Sequence, residues 1–146
     1  MTVSFDYSQV PSYFIHCFHA RCPLAGTCLR QWVACRVPAE VVSVQALNPA
    51  RWIGQEADTC PYFKPMNPVR VAWGMRKVLD AMPCKTSKEA TRWLNRYYPR
   101  MTLCRVMKQQ RPIHPEEQPA IIAMFRTHGV PEEEVFDRIE LRYRFD

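Results

Sequence analysis

Thirteen prolines and only four glycines are spread along this chain of 146 residues. A proline inside a helix removes a hydrogen bond and clashes with the preceding turn; inside a sheet it removes a ladder donor. The chain is therefore broken often, into short elements joined by stiff turns. Its length fits one domain or two very small ones, with enough residues to bury a core. Pro61, Pro65 and Pro68 form the stiffest link. They set the expected division into a cysteine-rich module over 1–64 and a basic helical module over 65–146.

Between the prolines, apolar spacing assigns the elements. The tail from Met1 to Tyr13, which mixes aromatics with Ser and Pro, reads as irregular coil packed onto the body, and Leu29, Trp32 and Val33 predict a short helix starting near Cys28. Val41 to Leu47 is β-branched and bounded by Pro38 and Asn48-Pro49, which predicts a strand, and Arg51 to Cys60 reads as loop. Val71, Met75, Val78, Leu79 and Met82 share a helical face over Val69–Met82. Thr86 or Ser87 is the expected cap of a helix running to Tyr97, and a short helix follows over Met101–Lys108. Pro115-Glu116-Glu117-Gln118 opens another, closed by Gly129. Ile139 to Phe145 alternates and predicts a strand, with Val41–Leu47 as its candidate partner. The expected class is α+β: mainly short helices, a two- or three-stranded sheet, and a helix-turn-helix-like bundle in the C-terminal half.

Cys17, Cys22 and Cys28 lie close together, and Cys60-Pro61 returns after thirty-one residues. Bringing three nearby thiols together costs little loop entropy, and a fourth from afar can tie the segment to the rest of the fold. Four thiolates satisfy a tetrahedral ion or an iron–sulfur cluster. The absence of two-residue cysteine knuckles leans away from zinc, and proline after the last cysteine leans toward iron–sulfur; small size leans toward structural zinc. His16 or His19 could replace one thiolate, or act as a base beside Cys17 or Cys22 in a thiol enzyme. Cys35, Cys84 and Cys104 stand alone and read as packing residues, with Cys35 the spare ligand. The competing expectation is that all seven thiols are simply reduced and buried. An odd number of cysteines with no export signal fits a reducing cytoplasm, and no apolar run is long enough for a membrane span.

Charge is uneven. Residues 1–68 carry five Lys/Arg against four Asp/Glu, 69–128 twelve against four, and 129–146 three against six. A basic middle suits nucleic acid, or is a solvated helical face. The layout of residues 69–129 resembles repressor-type helix-turn-helix proteins, although no glycine follows the second helix, where Gln109-Gln110 stand. That resemblance implies a double-stranded DNA partner. It makes Arg100, Arg105, Lys108, Gln109, Gln110 and Arg111 the groove-facing set and Arg92 and Arg96 phosphate contacts.

Phe5-Asp6-Tyr7, His16-Cys17, Cys22-Pro23, Cys28-Leu29-Arg30, Asn48-Pro49, Cys60-Pro61-Tyr62-Phe63, Pro115-Glu116-Glu117-Gln118 and Phe136-Asp137 together resemble an uncharacterised family of small cysteine-containing proteins from Bacteroidales. The resemblance runs nearly end to end. It implies a bacterial, cytoplasmic setting and no particular activity, and it treats Cys17, Cys22, Cys28 and Cys60 as a set.

No Gly-rich phosphate loop, nucleophile elbow or zincin helix occurs, so catalysis is not the expected role. The expectation is a small cytoplasmic metal-binding protein, holding zinc or an iron–sulfur cluster, with a basic nucleic-acid-binding part and a regulatory role. An iron–sulfur redox or sensor protein is one alternative. A non-enzymatic interaction module is the other.

Overall fold

The computed structural model describes residues 3, 5–52 and 59–145. The chain is mixed α+β, with mainly short helices and a two-stranded antiparallel sheet. It divides into two compact units. One covers Ser4–Pro68 and takes in Tyr143–Asp146; the other is built on Val69–Arg142.

In the first unit a single α-helix, α1 (Leu29–Ala34), joins three short 3-10 turns among the described residues. The core is aromatic: Phe14, Leu29 and Val33 are buried, with Phe5, Tyr7, Val10, Trp32, Met66, Tyr143 and Phe145 packed on them. Phe14 meets Phe145 edge to face at 5.1 Å, and Phe5 meets Trp32 at 4.6 Å. The tail packs onto the body through Phe5, Tyr7 and Val10, and its described residues include a 3-10 turn, Tyr7–Gln9, capped by the Asp6 carboxylate.

Val41–Leu47 does not form the expected strand. It makes one parallel bridge, His16 to Ala46, and Val42 is 99% exposed. Strand preference reflects packing against neighbours on a pleated face, and this segment has too few. Of the expected loop Arg51–Cys60, the first two residues belong to a 3-10 turn, Pro49–Trp52, and residues 53–58 lie outside the described residues.

The second unit opens with a strand where a helix was expected. β1 (Pro68–Trp73) is followed by Gly74 and then by α2 (Arg76–Ala81). Val71, Met75 and Val78 are all buried, as the helical spacing required, but a strand followed by a helix places them there. Gly74 makes the switch at φ +61, a left-handed conformation that disfavours side chains. The partner of β1 is β2 (Arg138–Tyr143), so the alternating C-terminal strand forms and pairs elsewhere than predicted.

α3 (Cys84–Tyr97) follows Pro83, with Thr86 and Ser87 inside the helix rather than capping it; their hydroxyls donate to the Pro83 and Leu79 carbonyls. Tyr98 and Pro99 separate it from α4 (Arg100–Met107). α5 (Gln118–Thr127) starts later than Pro115 because Pro119 occupies its first turn. Pro115–Glu117 instead form a turn, in which Glu117 accepts from the His114 N–H at 2.8 Å. Gly129 closes the end at φ +79, as expected. Ala90, Leu94, Val106, Ile113, Ile121, Phe125 and Val135 form the core of this unit. Cys35, Cys84 and Cys104, expected to pack inside, are all exposed.

Candidate functional site

Cys17, Cys22, Cys28 and Cys60 line one cavity of about 30 Å³ in the first unit. Three backbone segments build it. The Cys17 N–H donates to the Arg30 carbonyl at 3.2 Å, joining the segment before the first cysteine to α1. Cys28, at the N-cap of α1, makes an antiparallel bridge to Pro65, flanked by Leu29 N–H to Lys64 carbonyl (2.7 Å) and Met66 N–H to Thr27 carbonyl (3.1 Å). Between Cys22 and Cys28 the chain coils through consecutive tight turns, Ala25 N–H to Cys22 carbonyl at 3.1 Å and Thr27 N–H to Leu24 carbonyl at 3.1 Å.

Arg30 ties the segments together. Its guanidinium donates to the Ile15 carbonyl at 2.8 Å and, through Nε, to the Tyr62 carbonyl at 3.0 Å, two residues from Cys17 and from Cys60 respectively. The same group sits 5.1 Å from the Phe14 ring centroid. Five donors in a rigid fork suit one side chain to several carbonyls at once. In the sequence Arg30 stands only as part of Cys28-Leu29-Arg30, with no role of its own, since an arginine's carbonyl partners are set by the fold.

The rest of the wall is largely hydrocarbon, from Pro23, Leu24, Leu47 and Phe63, with His19 also on it. Cys17 and Cys28 are buried; Cys22 and Cys60 are partly exposed. Burial raises the Cys17 thiol above its ordinary value of 9.0. A backbone hydrogen bond at His19 pulls it back, and charge on Cys28, Cys22 or Cys60 would raise it further. Among the described residues, no group of three or more His, Cys, Asp or Glu side chains stands at metal-holding geometry. The thiols surround a shared space without closing on a common centre.

His16 does not join them. Its ring is buried, with Nδ1–H donating to the Gln45 carbonyl at 3.1 Å and Nε2 accepting from the Tyr7 hydroxyl at 2.8 Å. Both ring nitrogens therefore already have a hydrogen-bond partner.

In the second unit, Arg92, Arg96, Arg100, Arg105 and Lys108 are exposed and make no side-chain hydrogen bond or ion pair with a described residue. Lys85, Lys88, Arg92 and Arg96 fall within roughly 80° of arc on α3 at 100° per residue, opposite the buried Ala90 and Leu94. Glu89 is the one acid between residues 84 and 108. Gln109 and Arg111 are engaged internally. Gln109 takes φ +55 where glycine was expected, and its amide lies 3.4 Å from the Asp137 carboxylate. Arg111 pairs with Glu117 at 3.1 Å and lies over the Tyr98 ring.

No curated protein and no solved structure matches this chain. A family model matches residues 1–145, so the chain belongs to a family of unknown function, DUF6078.

Proposed function

We propose that the protein binds one zinc ion through Cys17, Cys22, Cys28 and Cys60, and that the basic face of α3 and α4 binds nucleic acid. The observation that carries the metal reading is the gathering of four thiols, from positions as distant as Cys17 and Cys60, around one small cavity. Isolated buried cysteines would have no reason to share a wall. Four thiolates complete a tetrahedral zinc ion, and the small size of the unit favours a structural ion. Ligation would draw the sulfurs inward and ionise them, releasing protons. A zinc ion would also offset the repulsion that the Cys22, Cys28 and Cys60 thiolates would impose on Cys17. Four protein ligands leave no open position, so the ion's part is structural.

The nucleic-acid reading rests on the uncompensated cations of α3 and α4. With Gln109 and Arg111 held internally, what remains is suited to phosphate contact more than to reading base edges. A protein with seven unpaired thiols belongs in a reducing compartment, which supports a cytoplasmic setting. Among the described residues, no helix is long and apolar enough to cross a membrane.

Melting of the protein purified without oxygen, before and after a zinc chelator, tests the metal reading. Chelation is expected to lower the melting temperature by on the order of 10 °C, with zinc restoring it and Cys28→Ser abolishing the restoration. Melting indifferent to chelator would overturn it, and recovery of iron with sulfide would replace zinc by a cluster.

A further inference from the structure

The first unit holds a second cavity, of about 400 Å³, that shares no lining residue with the thiol cavity. Its walls come from two stretches of chain, 7–12 and 41–45, that meet at His16. There the His16 N–H donates to the Gln45 carbonyl at 2.8 Å and the Leu47 N–H to the His16 carbonyl at 3.0 Å, a parallel bridge. The His16 ring adds a further bond to the same Gln45 carbonyl, through Nδ1 at 3.1 Å. Before this point the two stretches part. The chain at Pro11–Phe14 turns on itself, with Phe14 N–H to Pro11 carbonyl at 2.9 Å. Opposite it, Val42, Ser43 and Val44 make no backbone hydrogen bond with a described residue. The β-branched run that reads as a strand is thus the wall of an open space.

Val10, Pro11, Val41 and Val44 give that space hydrocarbon, and Ser12, Ser43 and Gln45 give it polar groups. The side chains of those three make no hydrogen bond with a described residue. No Lys, Arg, Asp or Glu stands among the described residues that line it. A charged guest would shed hydration there with no counter-charge, a cost that a neutral molecule avoids. The fixed polar point is the Tyr7 hydroxyl. A carbonyl only accepts, so the His16 Nδ1 carries the ring proton toward Gln45. In the neutral imidazole Nε2 then accepts, and the Tyr7 hydroxyl donates to it at 2.8 Å. With its one proton committed, the Tyr7 oxygen offers a guest only its lone pairs, and the bond to His16 polarises it into a better acceptor. The guest must therefore bring the donor.

We propose that this cavity binds a small neutral molecule with an apolar body and a hydroxyl or N–H group. The donor rests on the Tyr7 oxygen and the body lies against Val10, Val41 and Val44. The volume falls within the range of small-molecule sites, roughly 300–1,000 Å³. Buried His16 holds the Tyr7 hydroxyl on one side and the Gln45 wall on the other, so the point and the wall are set together. The site is separate from the metal and nucleic-acid readings and stands or falls without them.

The test is nitrogen-15 NMR of the full chain at about pH 8, titrated with three compounds. Phenol carries a donor, toluene has nearly the same shape without one, and benzoate is charged. Phenol is expected to shift the Tyr7, Ser43 and Val44 amides saturably, with a dissociation constant on the order of millimolar. Toluene should bind about tenfold more weakly, and benzoate should give no saturable shift. Tyr7→Phe should bring phenol down to the affinity of toluene while toluene still binds, which shows the cavity intact. The comparison of phenol with toluene on the parent chain decides the matter even if that variant fails to fold. Equal affinity for phenol and toluene, or a folded Tyr7→Phe variant that binds phenol like the parent, would overturn the assigned contact. Benzoate binding as tightly as phenol, or no saturable shift with phenol at any soluble concentration, would overturn the site.

Discussion

Cys17 and Cys60 share the wall of one cavity, and Arg30 donates a hydrogen bond two residues from each of them. The thiol set is therefore an arrangement maintained by a side chain that is not itself a thiol. An arginine bridging two carbonyls holds two segments in register more firmly than hydrophobic contact can, because hydrogen bonds are directional.

Arg30→Ala is expected to remove both bonds and leave the Ile15 and Tyr62 carbonyls without that donor. The stability loss should be about 2 kcal/mol, read as a lower midpoint in denaturant unfolding. Lysine should restore little, since it lacks the fork. An unchanged midpoint for Arg30→Ala would show that the backbone bridges suffice.

Alkaline pH provides a second test. Burial raises Cys17 above its ordinary 9.0, and raises Tyr7 and Tyr98 above 10.0; at Tyr98 the Glu117 carboxylate adds to the shift. In each case the folded state holds its proton more tightly than the unfolded chain. The stability this contributes is complete below the unfolded value and is lost as pH rises toward the folded one. Metal-free protein should thus lose stability as pH climbs above about 9, and Cys17→Ala and Tyr98→Phe should each blunt that fall. A flat profile from pH 8 to 11 would contradict the assigned environments.

Gly74 should not tolerate a side chain. Its φ is +61, and a β-carbon there would overlap the Asp137 carboxylate, which also accepts from the Arg76 and Lys77 N–H groups at 3.1 and 2.9 Å. Gly74→Ala is expected to cost at least about 2 kcal/mol. If the clash is the cause, the same change made in an Asp137→Ala background should cost less, and a double-mutant cycle measures the difference. Equal costs in both backgrounds would leave only the backbone angle responsible.

Gln109 is strained in the opposite sense. A non-glycine residue at φ +55 ends α4, where the Gln110 N–H closes back on the Arg105 carbonyl at 2.8 Å. Gln109→Gly should stabilise the chain by up to about 1 kcal/mol, seen as a higher melting temperature. A decrease would mean that its contact with Asp137 outweighs the strain.

These residues also show what the sequence could convey. Cysteine density flagged the cavity lining, because three thiols within a short segment are visible without any fold. The role of Arg30 was not legible, since it depends on where Ile15 and Tyr62 end up. At Val69–Met82 the expected Val71, Met75 and Val78 are buried, but Ala72 and Trp73 are buried as well and the conformation starts as a strand. Val71, Met75 and Val78 satisfy a helical period, but the β-branched Val69 and Val71 and the turn at Gly74 favour a strand first. For β2, alternation defined its faces and not its partner, a tertiary choice that went to β1. Where the helix-turn-helix layout would have a glycine after α4, Gln109 itself takes the left-handed conformation.

The most direct test of the account is the metal content of the chain purified without oxygen or chelator, measured per chain alongside the Cys17→Ser, Cys22→Ser, Cys28→Ser and Cys60→Ser variants. One zinc per parent chain, lost or sharply reduced in each variant, is the predicted result. A folded parent containing no metal, with variants that melt as the parent does, would contradict the proposed centre and leave the four thiols as packing residues.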